Sequence, residues 1–139
     1  KAGRVDAAMI AEPSLTEDAA DVEELGDAFS TIAPQWVAAV FVASKTWAGA
    51  NPDLARRVVE SLHETARWAN THKPELDKIL SPLARIPLAT LGKMEDTLYT
   101  DQLTKTILQP GIDAAYRYGA LKSPFDTSAI VSDAAPYVK

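Results

Sequence analysis

The run Trp36–Ser44, W-V-A-A-V-F-V-A-S, most constrains what this chain can fold into. It is short, charge-free and rich in Val, so it reads as a β-strand apolar on both faces. Such a strand needs neighbours along its edges and a covering layer on each face. An α/β fold supplies both. The rest of the pattern gives only one more convincing strand and a third possible one, against four or five helices. Two or three strands rarely bury a segment of this kind, so partner strands are expected from another chain or from another part of the protein.

The second strand is expected over Val5–Ala11, interrupted only by Asp6. It runs into Glu12-Pro13-Ser14, and Ser14-Leu15-Thr16-Glu17 has the S-x-x-E form of a helix capping box. In open α/β sheets, ligands bind beyond the carboxyl ends of strands, beside the helix N-termini that follow. Glu12, Pro13 and Ser14 are therefore the first candidate ligand-binding residues. The same strand, turn and cap also occur at many junctions that bind nothing. Leu15 to about Ala20 is expected as a short helix, 21–27 as a strand or extended crossing segment, and 28–35, which holds Pro34, as a loop.

Helix signals dominate the remainder. Asn51 is a favoured N-cap and Pro52 suits the first turn. Leu54, Ala55, Val58, Val59, Leu62, Ala66 and Ala69 then share one face, with Asp53, Arg56, Arg57, Glu60, Glu64 and Arg67 opposite. Asp53–Arg57 and Arg56–Glu60 stand four apart and are expected to pair, each contributing about 0.2–0.5 kcal/mol. Trp47 falls in the turn before this helix, and Trp68 at the rim of its apolar stripe. A second helix begins near Pro74, its length limited by Pro82, and a short one runs to Leu91. Thr100 is a plausible cap for a run through Leu103, Ile107 and Leu108, broken or kinked at Pro110-Gly111 and stopped at Gly119. From Ser123 the composition reads as an extended surface arm.

Composition narrows the function. The 139 residues suffice for one core but not for two ordinary domains. A net charge of -5 without a basic cluster argues against a nucleic-acid partner. No apolar run approaches the ~20 residues that span a bilayer. With no cysteine, thiolate metal sites, disulfides and Cys nucleophiles are excluded. His63 and His72 lack the spacing of a helical metal pair, and no G-x-S-x-G, P-loop or G-x-G-x-x-G occurs. Neither a cofactor nor catalysis is expected.

In order along the chain stand G-x-V-D-A leading to E-P, a crossing segment, W-V-A-A-V-F-V-A-S, N-P-D, I-L-Q-P-G-I-D and Y-R-Y-G-A-L. This order resembles the C-terminal half of the substrate-binding proteins of bacterial ABC importers of the nitrate, sulfonate and taurine type. Their superfamily includes the thiamine-pyrimidine synthase-like proteins. The resemblance implies an α/β, bilobal periplasmic-binding-protein (type II) fold. Residues 1–20 would end the second lobe, 21–35 would form a crossing segment of the hinge, and 36–139 would return to the first lobe with its covering helices and arm.

It further implies an exported protein, periplasmic or at the cell surface and peripheral to the membrane. Its partners would be a small-molecule ligand, the ABC permease subunits, and either the N-terminal half of the same protein or a second copy of the chain. Lys1 opens almost directly into the expected strand, and the chain reads as a piece of something longer. Glu12, Pro13 and Ser14 would face the cleft, with Phe29 and Trp36 offering rings beside it; core packing competes for Trp36. Ser14 and its helix N–H groups would donate to a ligand oxygen, while Glu12 would accept from a ligand N–H or O–H, or pin the hinge. A carboxylate there repels anions and favours solutes bearing an amine or a heteroaromatic ring. The rival expectations are a synthase-like enzyme, whose family uses cysteine and histidine motifs, and a helical protein-interaction module.

Overall fold

Helices claim every segment whose apolar residues recur at three- and four-residue spacing. The computed structural model describes residues 3–138, with side chains described as far as Pro136. The chain is helix-rich with almost no strand. In order come α1 (Ser14–Asp18), α2 (Lys45–Ala50), α3 (Pro52–Thr71), α4 (Lys73–Ala84), α5 (Leu88–Leu91), β1 (Leu103–Thr104), α6 (Lys105–Arg117), a 3-10 turn (Thr127–Ala129) and β2 (Tyr137–Val138). The chain divides into two units. One holds residues up to Ala28 together with Trp68–Tyr99; the other holds Phe29–Arg67 and the chain from Thr100 onward.

The strands expected at Val5–Ala11 and Trp36–Ser44 do not form. Both runs lack regular structure, and the main chain of Ala38–Ala43 makes no hydrogen bond among the described residues. An apolar sequence can favour a strand, but a ladder requires a second edge about 4.8 Å away. The one ladder among the described residues pairs β1 with β2 in parallel, Leu103 beside Tyr137 and Thr104 beside Val138. The expected α/β sheet of two to three strands is thus corrected to helices with a two-residue ladder elsewhere.

In the first unit, Ala69 and Leu91 are the buried apolar side chains. Pro74 sits in the first turn of α4, and Pro82 lies inside it two residues before its end. Asn70 clasps the loop after α5 in both directions: its Nδ2 donates to the Tyr99 carbonyl at 2.6 Å, and the Tyr99 N–H donates to its Oδ1 at 2.9 Å. Arg85 closes α4 in the left-handed region at φ 58°. Glycine has no Cβ to strain there, so Arg85→Gly is expected to stabilise this unit by about 0.5–1 kcal/mol, read from urea midpoints at constant slope.

In the second unit, Ala55 and Thr127 are buried. Helix α2, absent from the sequence expectation, is capped by Ser44, whose Oγ accepts from the Trp47 N–H at 3.1 Å. Asn51 stands between α2 and α3: its carbonyl accepts the Ala55 N–H, while its side chain turns back to donate to the Trp47 carbonyl. Asp53 pairs with Arg56 at 3.1 Å, three residues on, in place of the expected Arg57. Thr104 caps α6, not Thr100, which closes a turn onto Gln102. Helix α6 continues through Pro110 and Gly111 without the expected break. It ends at Arg117, and past its C-cap Tyr118 the left-handed Gly119, φ 79°, lets the Ala120 N–H reach the Ala115 carbonyl and the Gly119 N–H reach Tyr116.

The tail is more than a surface arm. Gln109 of α6 grips it twice, donating from Nε2 to the Phe125 carbonyl at 3.0 Å and accepting the Thr127 N–H at Oε1 at 3.1 Å. Asp126, between those residues, accepts from Lys105 and caps the 3-10 turn through the Ser128 N–H.

Candidate functional site

Glu12, Pro13 and Ser14 lie together in the turn entering α1, where the Glu12–Pro13 peptide is cis. The expected capping box is replaced by another arrangement. Pro13 occupies the N-cap position, Ser14 is the first helical residue, and neither supplies a side-chain cap. Glu12 does so from further upstream: its Oε2 accepts the Thr16 N–H at 3.1 Å and its Oε1 accepts the Thr16 hydroxyl at 2.9 Å. The Leu15 N–H is bonded to the Ala11 carbonyl. A negative charge at a helix start is favourable, and this bidentate grip fixes the turn from within. Both carboxylate oxygens of Glu12 are thus engaged within its own turn. The donors near Ser14 that a ligand oxygen would use are partly engaged already.

Phe29 and Trp36 meet in the other unit. Their ring centroids are 5.8 Å apart at 44°, a tilted pair, and the indole Nε1 donates to the Phe29 carbonyl at 3.2 Å. Trp36 also lies against α6 at Gly111: a Cβ added there would meet its six-membered ring at 3.3–3.4 Å. The neighbouring Val37 N–H donates to the Ile107 carbonyl. The two aromatic candidates are thus brought together, and packing engages the Trp36 ring against Gly111.

A third place had no signal in the sequence reading. In the first unit a cleft of about 340 Å³ is floored by Leu76, Leu80, Leu91 and Met94 and rimmed by Lys73 and Asp96. Lys73 donates to both carboxylate oxygens of Asp77 at 3.0–3.1 Å and to the Leu91 carbonyl at 3.2 Å, and lies 3.2 Å from Asp96. The Asp77 carboxylate raises the Lys73 ammonium above its ordinary value, against the opposing effect of burial and with further help from Asp96. Lys73 therefore stays charged at neutral pH, held by its carboxylate partners. A raised folded value means that this stabilisation is full below the unfolded value and is lost only as pH climbs through the folded one.

His72 follows α3 and stacks on Trp68, with centroids 5.2 Å apart and planes within 9°. Its Nδ1 lies 2.9 Å from the Trp68 carbonyl and 2.8 Å from the Thr71 hydroxyl. His63 lies on α3. Among the described residues, no group of three or more His, Asp or Glu is placed to hold a metal ion, and no helix is long and apolar enough to cross a membrane. No family model matches the chain, and no curated protein or solved structure is similar to it.

Proposed function

We propose that the chain is part of the solute-binding component of an ABC-type import system, capturing a small organic solute between two lobes and presenting it to the permease. The observation that carries this reading is the order of motifs from G-x-V-D-A and E-P through W-V-A-A-V-F-V-A-S to Y-R-Y-G-A-L. The receptor is exported, acts in the periplasm or at the cell surface, and uses no cofactor. Its lobes rotate about the crossing segments, and solute favours the closed form by binding it better. Glu12 sets the turn at the cleft edge and selects solutes carrying an amine or a heteroaromatic ring.

A thermal-shift screen of the intact receptor with such solutes identifies the ligand, and calorimetry then tests the turn. Glu12→Ala is expected to weaken binding at least tenfold, about 1.4 kcal/mol. Thr16→Val removes the hydroxyl that Glu12 holds but keeps the carboxylate. Equal losses in both variants mean that Glu12 acts by holding the turn; a loss in Glu12→Ala alone means direct contact. Unchanged affinity in Glu12→Ala removes this residue from the site.

A second reading, a helical protein-interaction module, is favoured by one observation. Leu54 and Val58, one turn apart on α3, remain 45% and 44% exposed. The same screen separates the two readings, because a module of that kind shows no solute-dependent shift.

A further inference from the structure

Between Asp27 and Lys45 the chain carries no charge. Within that stretch Ala39–Ala43 are neither helical nor turned, and Ala38–Ala43 have no main-chain hydrogen bond among the described residues. Val40, Phe41 and Val42 are 53%, 84% and 88% exposed, so consecutive side chains, which point to opposite faces of a strand, are bare on both. Two free edges and two apolar faces make this the part of the molecule most ready to accept a β-strand.

The sequence also indicates which strand. If two copies of this segment run antiparallel with Val40 opposite Val40, Phe41 faces Ala39 and Val42 faces Ala38. Every flanking bulky residue then meets an alanine, and the two Phe41 rings become diagonal neighbours, within reach of each other. Shifting the centre by one residue breaks the fit. Centred on Ala39, Val37 meets Phe41; centred on Phe41, Val40 meets Val42 while Ala39 meets Ala43. Charge points the same way. Two chains of net charge -5 repel over most of their surface but bring no acidic residue into this ladder. We propose that residues 38–42 form an antiparallel β-ladder with the same residues of a second copy of this chain, centred on Val40. The ladder alone covers less than the roughly 1,200 Å² of a standard stable interface, so the pair is weak and forms as protein concentration rises.

The absence of cysteine allows the register to be read directly. Directly opposed residues in an antiparallel pair have Cα atoms about 4.5–5.5 Å apart, within disulfide reach. In the full chain under mild oxidation, Val40→Cys is expected to yield at least ten times more covalent dimer than Val42→Cys. Ala38→Cys mixed with Val42→Cys should link across, and adding Phe41→Lys to Val40→Cys should abolish linkage by setting two ammonium groups side by side. Circular dichroism confirms that the helices survive each exposed substitution. Equal self-linkage at 40 and 42, or no linkage at 40 above random collision at any concentration, overturns the proposal and leaves the segment to a different strand. The receptor reading is tested separately by solute binding, so either can fail without the other.

Discussion

Gln109→Leu is expected to release the tail from α6 and to lower the hydrogen-exchange protection of the Thr127 amide about thirty-fold, a loss near 2 kcal/mol. The wild-type side chain satisfies that N–H at 3.1 Å and the Phe125 carbonyl at 3.0 Å. Thr127 is fully buried, so no water replaces the lost acceptor. Leucine keeps the volume, and the stranded polar groups, not a cavity, dominate the loss. A further tie is ionic: Lys105 holds the Asp126 carboxyl well below its usual 3.8, assisted by the Ser128 N–H. A lowered folded value stabilises above the unfolded value and ceases to do so as pH falls through the folded one. Protection corrected for intrinsic rates should therefore fall further in strong acid. Unchanged protection in Gln109→Leu at neutral pH would show that the clamp does not hold the tail.

Gly111→Val is expected to cost about 2 kcal/mol, in the range of overpacked sites, while Gly111→Ala stays close to neutral. Glycine inside α6 forfeits about 1 kcal/mol of helix propensity relative to alanine. What it permits is the approach of Trp36, whose ring atoms would lie 3.3 and 3.4 Å from an added Cβ. Alanine recovers propensity and needs a shift of a few tenths of an ångström. Valine adds branches that drive the indole off the helix, breaking its bond to the Phe29 carbonyl. Chemical denaturation gives the energies, and faster exchange of the Trp36 indole N–H in the valine variant locates the damage. Equal stability of all three proteins would show that this contact does not hold the aromatic pair in place.

Legibility followed the range of the interactions involved. The bodies of α3 and α4, the short α5 and the stop at Gly119 were readable because periodicity, Pro74 and a left-handed glycine act within a few residues. The ladders expected at Val5–Ala11 and Trp36–Ser44 were not, because a strand is defined by a partner that the local sequence does not name. Caps moved among equivalent residues: Thr104 displaced Thr100, and Glu12 displaced Ser14, though the four-residue step from Glu12 to Thr16 was a usable signal. Phe29 and Trp36 were legible only as rings beside a cleft; that they meet each other, and that Trp36 seats on Gly111, was not. The grips of Gln109 on the tail and of Lys73 on Asp77 and Asp96 depend on which distant loops arrive, and composition alone made the tail look like a loose arm.

The stack of His72 on Trp68 gives the first unit its own optical label, as Trp36 gives the second. The Trp68 indole emits against an imidazole face, while Trp36 packs beside Phe29 and Gly111. With Trp47 replaced, versions retaining only Trp36 or only Trp68 would emit separately, each quenching or shifting as its own half melts. Coincident curves would mark a single cooperative transition; separated ones would mark two bodies that unfold on their own terms.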